Sequence, residues 1–286
     1  MTSLDAPAMA RPERGGKRVL PLPKPILLWA PPRSTSTAFE CAVMQHPNVA
    51  VFHEQLADCF YFGENRKDKE LPPAIESSKL NRETTYVSQL GQVAGGAAAG
   101  GKHFAFSKEL SIYYQAEHLP AEMMREYTHC FLIREPEKVV RSFLRVGAKE
   151  RTSTGASSTY FDPEEMGFAE LEALYTLVTS TLGQAAVIVD SADLLAAPEL
   201  MLHKWCDAVG LPFDAAMVTW KPSEPKTWDK WPGWHDDAAA SSGFTMKNHA
   251  DAEEPLSEEA KAAVKMCQPI YDKLHAMRLT VDAKKD

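Results

Sequence analysis

Residues 33 to 37 read Arg-Ser-Thr-Ser-Thr, a permanent cation followed by four hydroxyls. The run lies just past the apolar Ile26–Trp29 and opens a helical pattern over residues 34–45. A helix N-terminus leaves backbone N–H groups unpaired and carries partial positive charge. Consecutive hydroxyls add donors, and Arg33 adds a planar fork of them. One helix cap needs one hydroxyl. Arg33, Ser34, Thr35, Ser36 and Thr37 supply more than that, so they are candidates for a phosphate or sulfate-like cradle. The Walker pattern GxxxxGK[ST] is absent, with no lysine ahead of the hydroxyls, which argues against a metal-dependent ATPase. No metal-ligating set is read in the sequence.

A second strand-to-helix junction carries Arg134 at the end of Thr128–Ile133 and Ser142 eight residues on. Together they suit a second anion. Arg141 and Arg145, four apart, fit the solvated face of that helix. His53 and Glu54 end the strand Val49–His53, and Lys108 follows the strand His103–Ser107. An imidazole, a carboxylate and an amine at strand ends are candidates for handling a proton. His118 is a more distant one.

These residues must be held by the elements around them. Short apolar strands at 26–29, 49–53, 103–107, 128–133 and 186–189 alternate with helical patterns at 34–45, 56–62, 84–93, 121–127, 135–146, 164–182, 198–209 and 257–277. That alternation predicts βαβ units: an α/β fold with a mostly parallel central sheet of about five strands flanked by helices. Ligands of such sheets bind at the carboxyl ends of the strands, where the loaded residues fall. The polar stretch 63–80 is expected at the surface, GGAAAGG (95–101) as a flexible connector, and 149–160 as a loop. Residues 220–234, rich in Trp and Pro, read as irregular. Residues 1–22 read as a disordered tail ahead of a single domain over 23–286.

The 286 residues carry net charge −8, so an anion site must be a local focus of positive charge; the chain is not read as a nucleic-acid binder. Five scattered cysteines fit reduced thiols in a cytoplasmic protein. No apolar run approaches the roughly 20 residues of a membrane span, so no membrane partner is expected. Oligomeric state is not legible.

The two anion segments together resemble the nucleotide-binding elements of sulfotransferases that use 3′-phosphoadenosine 5′-phosphosulfate (PAPS). DLLAAPELMLHKWCDAVGLPFDAAMVTW (193–220) and CQPIYDKL (267–274) are similar to later segments of that family. The resemblance spans 26–280, patchily between 63 and 102. It implies a three-layer P-loop-like fold and metal-free, in-line sulfuryl transfer to a hydroxyl or amine of a small-molecule acceptor. The product is then 3′,5′-adenosine bisphosphate (PAP). Arg33–Thr37 would hold the 5′-phosphosulfate, with Arg134 and Ser142 on the 3′-phosphate. Many members place a histidine two residues beyond the lysine after the third strand; here that position is Leu110. The base is therefore sought in Glu54 first, then His53, with Lys108 bridging to the sulfonate or pairing with a carboxylate. A late loop closes over the nucleotide in the family, and WHDDAAASSGF (234–244) is its counterpart, without the family's basic signature. The tryptophans of 220–234 would cover adenine, line the acceptor pocket or anchor the core. The alternatives are a P-loop kinase or hydrolase and a non-catalytic nucleotide-binding protein.

Overall fold

The sequence ILLWA forms β1 (Ile26–Ala30), which pairs with a strand along each edge and is buried on both faces because helices cover the sheet on either side. The computed structural model describes residues 23–66, 83–154, 161–229, 233–246 and 255–281. The expected tail, most of the polar stretch 63–80 and residues 155–160 lie outside these. After β1 come α1 (Ser36–Met44), β2 (Val49–His53), α2 (Ala57–Phe62), α3 (Tyr86–Ala99), β3 (Phe104–Leu110) and α4 (Ala121–Met124). Then follow β4 (Thr128–Ile133), α5 (Pro136–Thr154), α6 (Phe168–Thr176), β5 (Val187–Asp190), α7 (Ser191–Ala196) and α8 (Pro198–Val209). A short α9 (Asp236–Ala239) precedes α10 (Glu258–His275).

The sheet order is β2-β3-β1-β4-β5, and every pairing is parallel. Side chains alternate along a strand. Leu27 and Trp29 therefore join the core under α3 and α6, with Tyr86, Leu90, Leu171 and Leu174. Ile26, Leu28 and Ala30 join the opposite core under α1 and α8, with Phe39, Leu202 and Trp205. The result is three layers, helix on sheet on helix. The chain leaves β1 toward β2 and β4 toward β5, so the strand order reverses between β1 and β4. That switch point is where open α/β sheets bind ligands.

The predicted element order holds, and several boundaries move for physical reasons. The first helix begins at Ser36 because Thr35 sits at φ 70°, outside helical space. The stretch GGAAAGG is no connector: α3 runs through its first five residues. A Cβ on Gly96 would lie 2.1 Å from the Phe52 ring, so the glycine lets α3 pack directly on β2. The fourth helix stops at Met124, short of the expected 127. Helix α5 extends to Thr154, into the expected loop. The predicted 164–182 helix divides into a 3₁₀ turn at Pro163–Met166, α6, and a π-helical turn at Leu177–Thr181. The break falls at Gly167, at φ 70°, where a Cβ would meet Ser111 Oγ at 2.5 Å. Beyond α10 the backbone straps the outer edge of β5: Leu279 N–H donates to the Ile188 carbonyl at 2.8 Å and Arg278 Nε to Asp193 at 2.6 Å. No described helix is long and apolar enough to cross a membrane.

Candidate active site

The loop after β1 is bent twice into left-handed backbone, with Arg33 at φ 63° and Thr35 at φ 70° and Ser34 on the other side of zero between them. Alternating signs of φ turn successive N–H groups inward, the arrangement of an anion-binding nest. Non-glycine residues rarely adopt this conformation, and functional sites collect it. Ser34 is fully buried and its hydroxyl has no hydrogen-bond partner among the described residues. Thr35 shares a 2.7 Å hydroxyl contact with Ser191, at the head of α7.

Arg33 and Arg134 open into one cavity of about 170 Å³, also lined by Thr35, Ser36, Thr37 and Ser142. The two sequence segments thus meet. Arg134 Nη1 donates to the Arg33 carbonyl at 2.7 Å, and Arg33 Nε donates to Ser142 Oγ at 3.2 Å. Arg33 therefore spans both segments instead of serving the first alone. Arg145 also lines the cavity, which corrects its placement on a solvated face. Arg141 is only partly exposed and is bound to Glu137 at 2.7 Å. Burial, then the neighbouring Arg33 and Arg145, lower Arg134 to about 10. Burial likewise lowers Arg33, while Asp237 works to raise it. Both stay cationic near neutrality.

The segment 233–246 covers this cavity. Arg33 Nη1 donates to the Trp234 carbonyl at 2.6 Å, and its guanidinium lies 6.0 Å from the Trp234 ring centroid. Trp234, His235 and Phe244 line the wall. The other described tryptophans of 220–234, Trp220 and Trp228, are buried in the core, and Trp231 lies outside the described residues.

Beside the cavity stands a buried polar cluster. The β2–β3 register sets His53 beside Lys108. The Lys108 ammonium is bonded to Glu54 Oε1 and lies 3.9 Å from Glu40. Tyr113 donates to Glu54 Oε2 at 2.7 Å. Burial alone would raise the Glu54 carboxyl, but Lys108, then His53 and His235, outweigh it and hold it near 2. Glu54, expected first as the base, is thus a fully engaged carboxylate with a left-handed φ of 44°. Lys108 is 1% exposed, does not line the cavity and pairs with carboxylate. His53 Nδ1 faces Glu40 Oε2 at 2.7 Å, and its Nε2, without a hydrogen-bond partner among the described residues, lies 3.9 Å from Glu54 Oε1. His235 stands edge-on to His53 at 5.0 Å between centroids, and burial, then Lys108, lower it to about 3. One nitrogen of each ring and a Glu54 oxygen lie within 4.8 Å of one another. Lys108 already occupies the carboxylate that a divalent ion would need there. His118 stacks on Tyr86 and lines no part of the cavity, so the fold does not bring it to the other candidates.

Glu40, Tyr113, Arg145, Ser191 and His235 are the neighbours that sequence reasoning missed. Two signals were available: the i,i+4 spacing of Arg141 and Arg145, open to either face, and the 234–244 segment, which holds His235.

A family model for the sulfotransferase domain matches residues 24–278. The chain belongs to the sulfotransferase domain family. It is 28% identical over 252 residues to branched-chain-amino-acid aminotransferase-like protein 2 of Arabidopsis thaliana, covering 85% of this chain and 40% of that protein. Identity to the like-named protein 1 is 26% over 243 residues, covering 82% and 39%. The chain therefore spans about two fifths of the length of these curated relatives. Among solved structures it is similar to the sulfotransferase domain from the curacin biosynthetic pathway, with TM-score 0.46, 15% identity and coverage of 86% and 98%. It is also similar to mouse sulfotransferase SULT7A1 complexed with PAP, with TM-score 0.48, 9% identity and coverage of 88% and 89%.

Proposed function

We propose that this chain is a PAPS-dependent sulfotransferase that moves a sulfuryl group to a small-molecule acceptor. The observation that carries this reading is the convergence of Arg33, Arg134, Arg145 and Ser142 with the hydroxyls of Thr35–Thr37 on one cavity at the sheet's switch point. A bisphosphorylated donor matches that set: several anionic groups meet several fixed cations and a nest of backbone donors. The orphaned hydroxyl of Ser34, inside the nest, offers a further donor.

The chain's own residues supply position and charge. Arg33 and the amides of the nest hold the 5′ side and stabilise the charge that grows on the leaving phosphate; one such donor is worth on the order of 10²–10³ in rate. Arg134 and Ser142 hold the 3′-phosphate and select the nucleotide. Trp234 closes over the bound donor and excludes water. Glu54, fixed by Lys108 and Tyr113, braces the buried cluster beside the cradle.

Thermal shift tests the reading. PAP should raise the Tm by several degrees at saturation, and [³⁵S]PAPS should lose its label to an acceptor. A response to ATP with magnesium and none to PAP would favour a P-loop kinase or hydrolase instead; PAP binding without label transfer would favour a non-catalytic nucleotide-binding protein.

A further inference from the structure

We propose that Arg145 is a specificity-determining residue: it reads the second phosphate of the nucleotide and so makes the cavity prefer a 3′,5′-bisphosphate to a 5′-monophosphate. The inference rests on the sulfuryl-transfer reading and deepens it.

Helix geometry places Arg145 for this role. It follows Ser142 by three residues on α5, so the two side chains share a face of the helix. Its Cα lies about 4.5 Å further along the axis. Both residues line the cavity. Arg145 is half-buried. Its charge lowers both Arg33 and Arg134, so it stands within electrostatic reach of each. Three like charges around one cavity repel one another. An anion among them turns that repulsion into attraction.

The other two cations are already tied to the loop. Arg33 gives Nε to Ser142 and Nη1 to the Trp234 carbonyl, and Arg134 gives Nη1 to the Arg33 carbonyl. These bonds brace the nest that takes the 5′ side of the nucleotide. A phosphate monoester brings roughly 1.5 to 2 negative charges and three acceptor oxygens. The Ser142 hydroxyl and the remaining N–H groups of Arg134 answer only part of that demand. Arg145, one turn beyond Ser142, adds a full charge and a planar donor fork.

The opposite wall points the same way. No lysine or arginine of the covering segment is among the described residues that line the cavity. Asp237, which comes from that segment, is the one carboxylate among them, and it is the charged group that acts most on Arg33. A carboxylate repels phosphate. Trp234 and Phe244 lie on the same wall. The second phosphate therefore sits against α5, and the covering segment takes the neutral nucleoside. Arg141 provides the contrast: one turn before Arg145, it is bound to Glu137 and lines no part of the cavity.

Calorimetry on the full chain tests this with two ligands, PAP and 5′-AMP, which lacks the 3′-phosphate. The wild type should bind PAP at least about tenfold more tightly than 5′-AMP, the worth of one charge-assisted bond. Arg145→Ala should weaken PAP by about 10–100-fold and leave the 5′-AMP Kd within about threefold. Arg145→Gln, which keeps most of the side chain's length, is read by the same criteria should the alanine variant fail to fold. Arg141→Ala should leave both ligands unchanged. Equal weakening of PAP and 5′-AMP, or PAP binding unchanged by loss of Arg145, overturns the assignment. The same shift in Arg141→Ala reduces the effect to general charge and overturns it too. A wild type that binds both nucleotides equally overturns the assignment and spares the nucleotide site, whereas a wild type that binds neither overturns the sulfuryl reading itself.

Discussion

Arg33 and Glu54 each hold a left-handed backbone angle, but among the described residues Arg33 donates only to Ser142 and the Trp234 carbonyl while both Glu54 oxygens are engaged by Lys108 and Tyr113, so their side chains have distinct costs of removal. Arg33→Ala should lower kcat by about 10²–10³ and also loosen the Trp234 segment, since the guanidinium is bonded to that carbonyl. Arg134→Ala should instead weaken PAP binding, read by calorimetry. Glu54→Gln leaves the Lys108 charge buried without its carboxylate; breaking such a pair costs about 3–5 kcal/mol, so urea unfolding should show a large loss of stability. An unchanged midpoint would mean that Lys108 finds Glu40, 3.9 Å away, as a sufficient partner. The residues of the candidate cradle were legible because Arg33–Thr37 and Arg134 lie beside strand ends and Ser142 follows Arg134 at a fixed spacing on the next helix. Glu40, Tyr113 and His235 were not, because each reaches the cluster from a different element, and only the folded register joins them.

At the scale of elements, strands and long helices were readable from apolar runs, whereas GGAAAGG shows where composition misleads. Its glycines suggest a connector, yet Gly96 is the contact that seats α3 on Phe52. The adjacent Gly95 has nothing within 4 Å of a built Cβ. Gly95→Ala should therefore stabilise by up to about 1 kcal/mol through helix propensity, while Gly96→Ala should destabilise by about 1–3 kcal/mol through overpacking. Paired thermal melts check the contrast, and equal shifts would show that Phe52 moves aside freely. The broken 164–182 helix was hidden for a related reason: its apolar period continues, and the close approach of Ser111 to Gly167 is a tertiary fact.

Over the whole molecule, buried groups set opposite pH limits, with His129 and His235 on the acid side and Glu109 on the alkaline side. His129 accepts from Trp29 Nε1 on one nitrogen and faces the Met124 carbonyl with the other, and burial lowers it to about 4. Its folded pKa lies below the unfolded value, so stability should fall as pH drops from about 6.5 to 4, by roughly 3 kcal/mol at most. Glu109 runs the other way. Burial raises it to about 8 despite bonds from Ser107, Leu56 and Gln55. Its protonated form is favoured on folding, so stability should fall as pH climbs from the ordinary carboxylate range through 8. Melts across pH 4–9 should peak between these limits, and Glu109→Gln should flatten the alkaline side.

The strap along β5 carries a last consequence, for solution behaviour. A bare outer strand is a template on which another chain can add by backbone pairing. Here the amide of Leu279 already occupies the Ile188 carbonyl. Leu279→Pro, which removes that amide, should make the protein self-associate as its concentration rises, visible as a growing sedimentation coefficient; a strictly monodisperse variant would mean that the side chains around Arg278 and Asp193 shield the edge unaided.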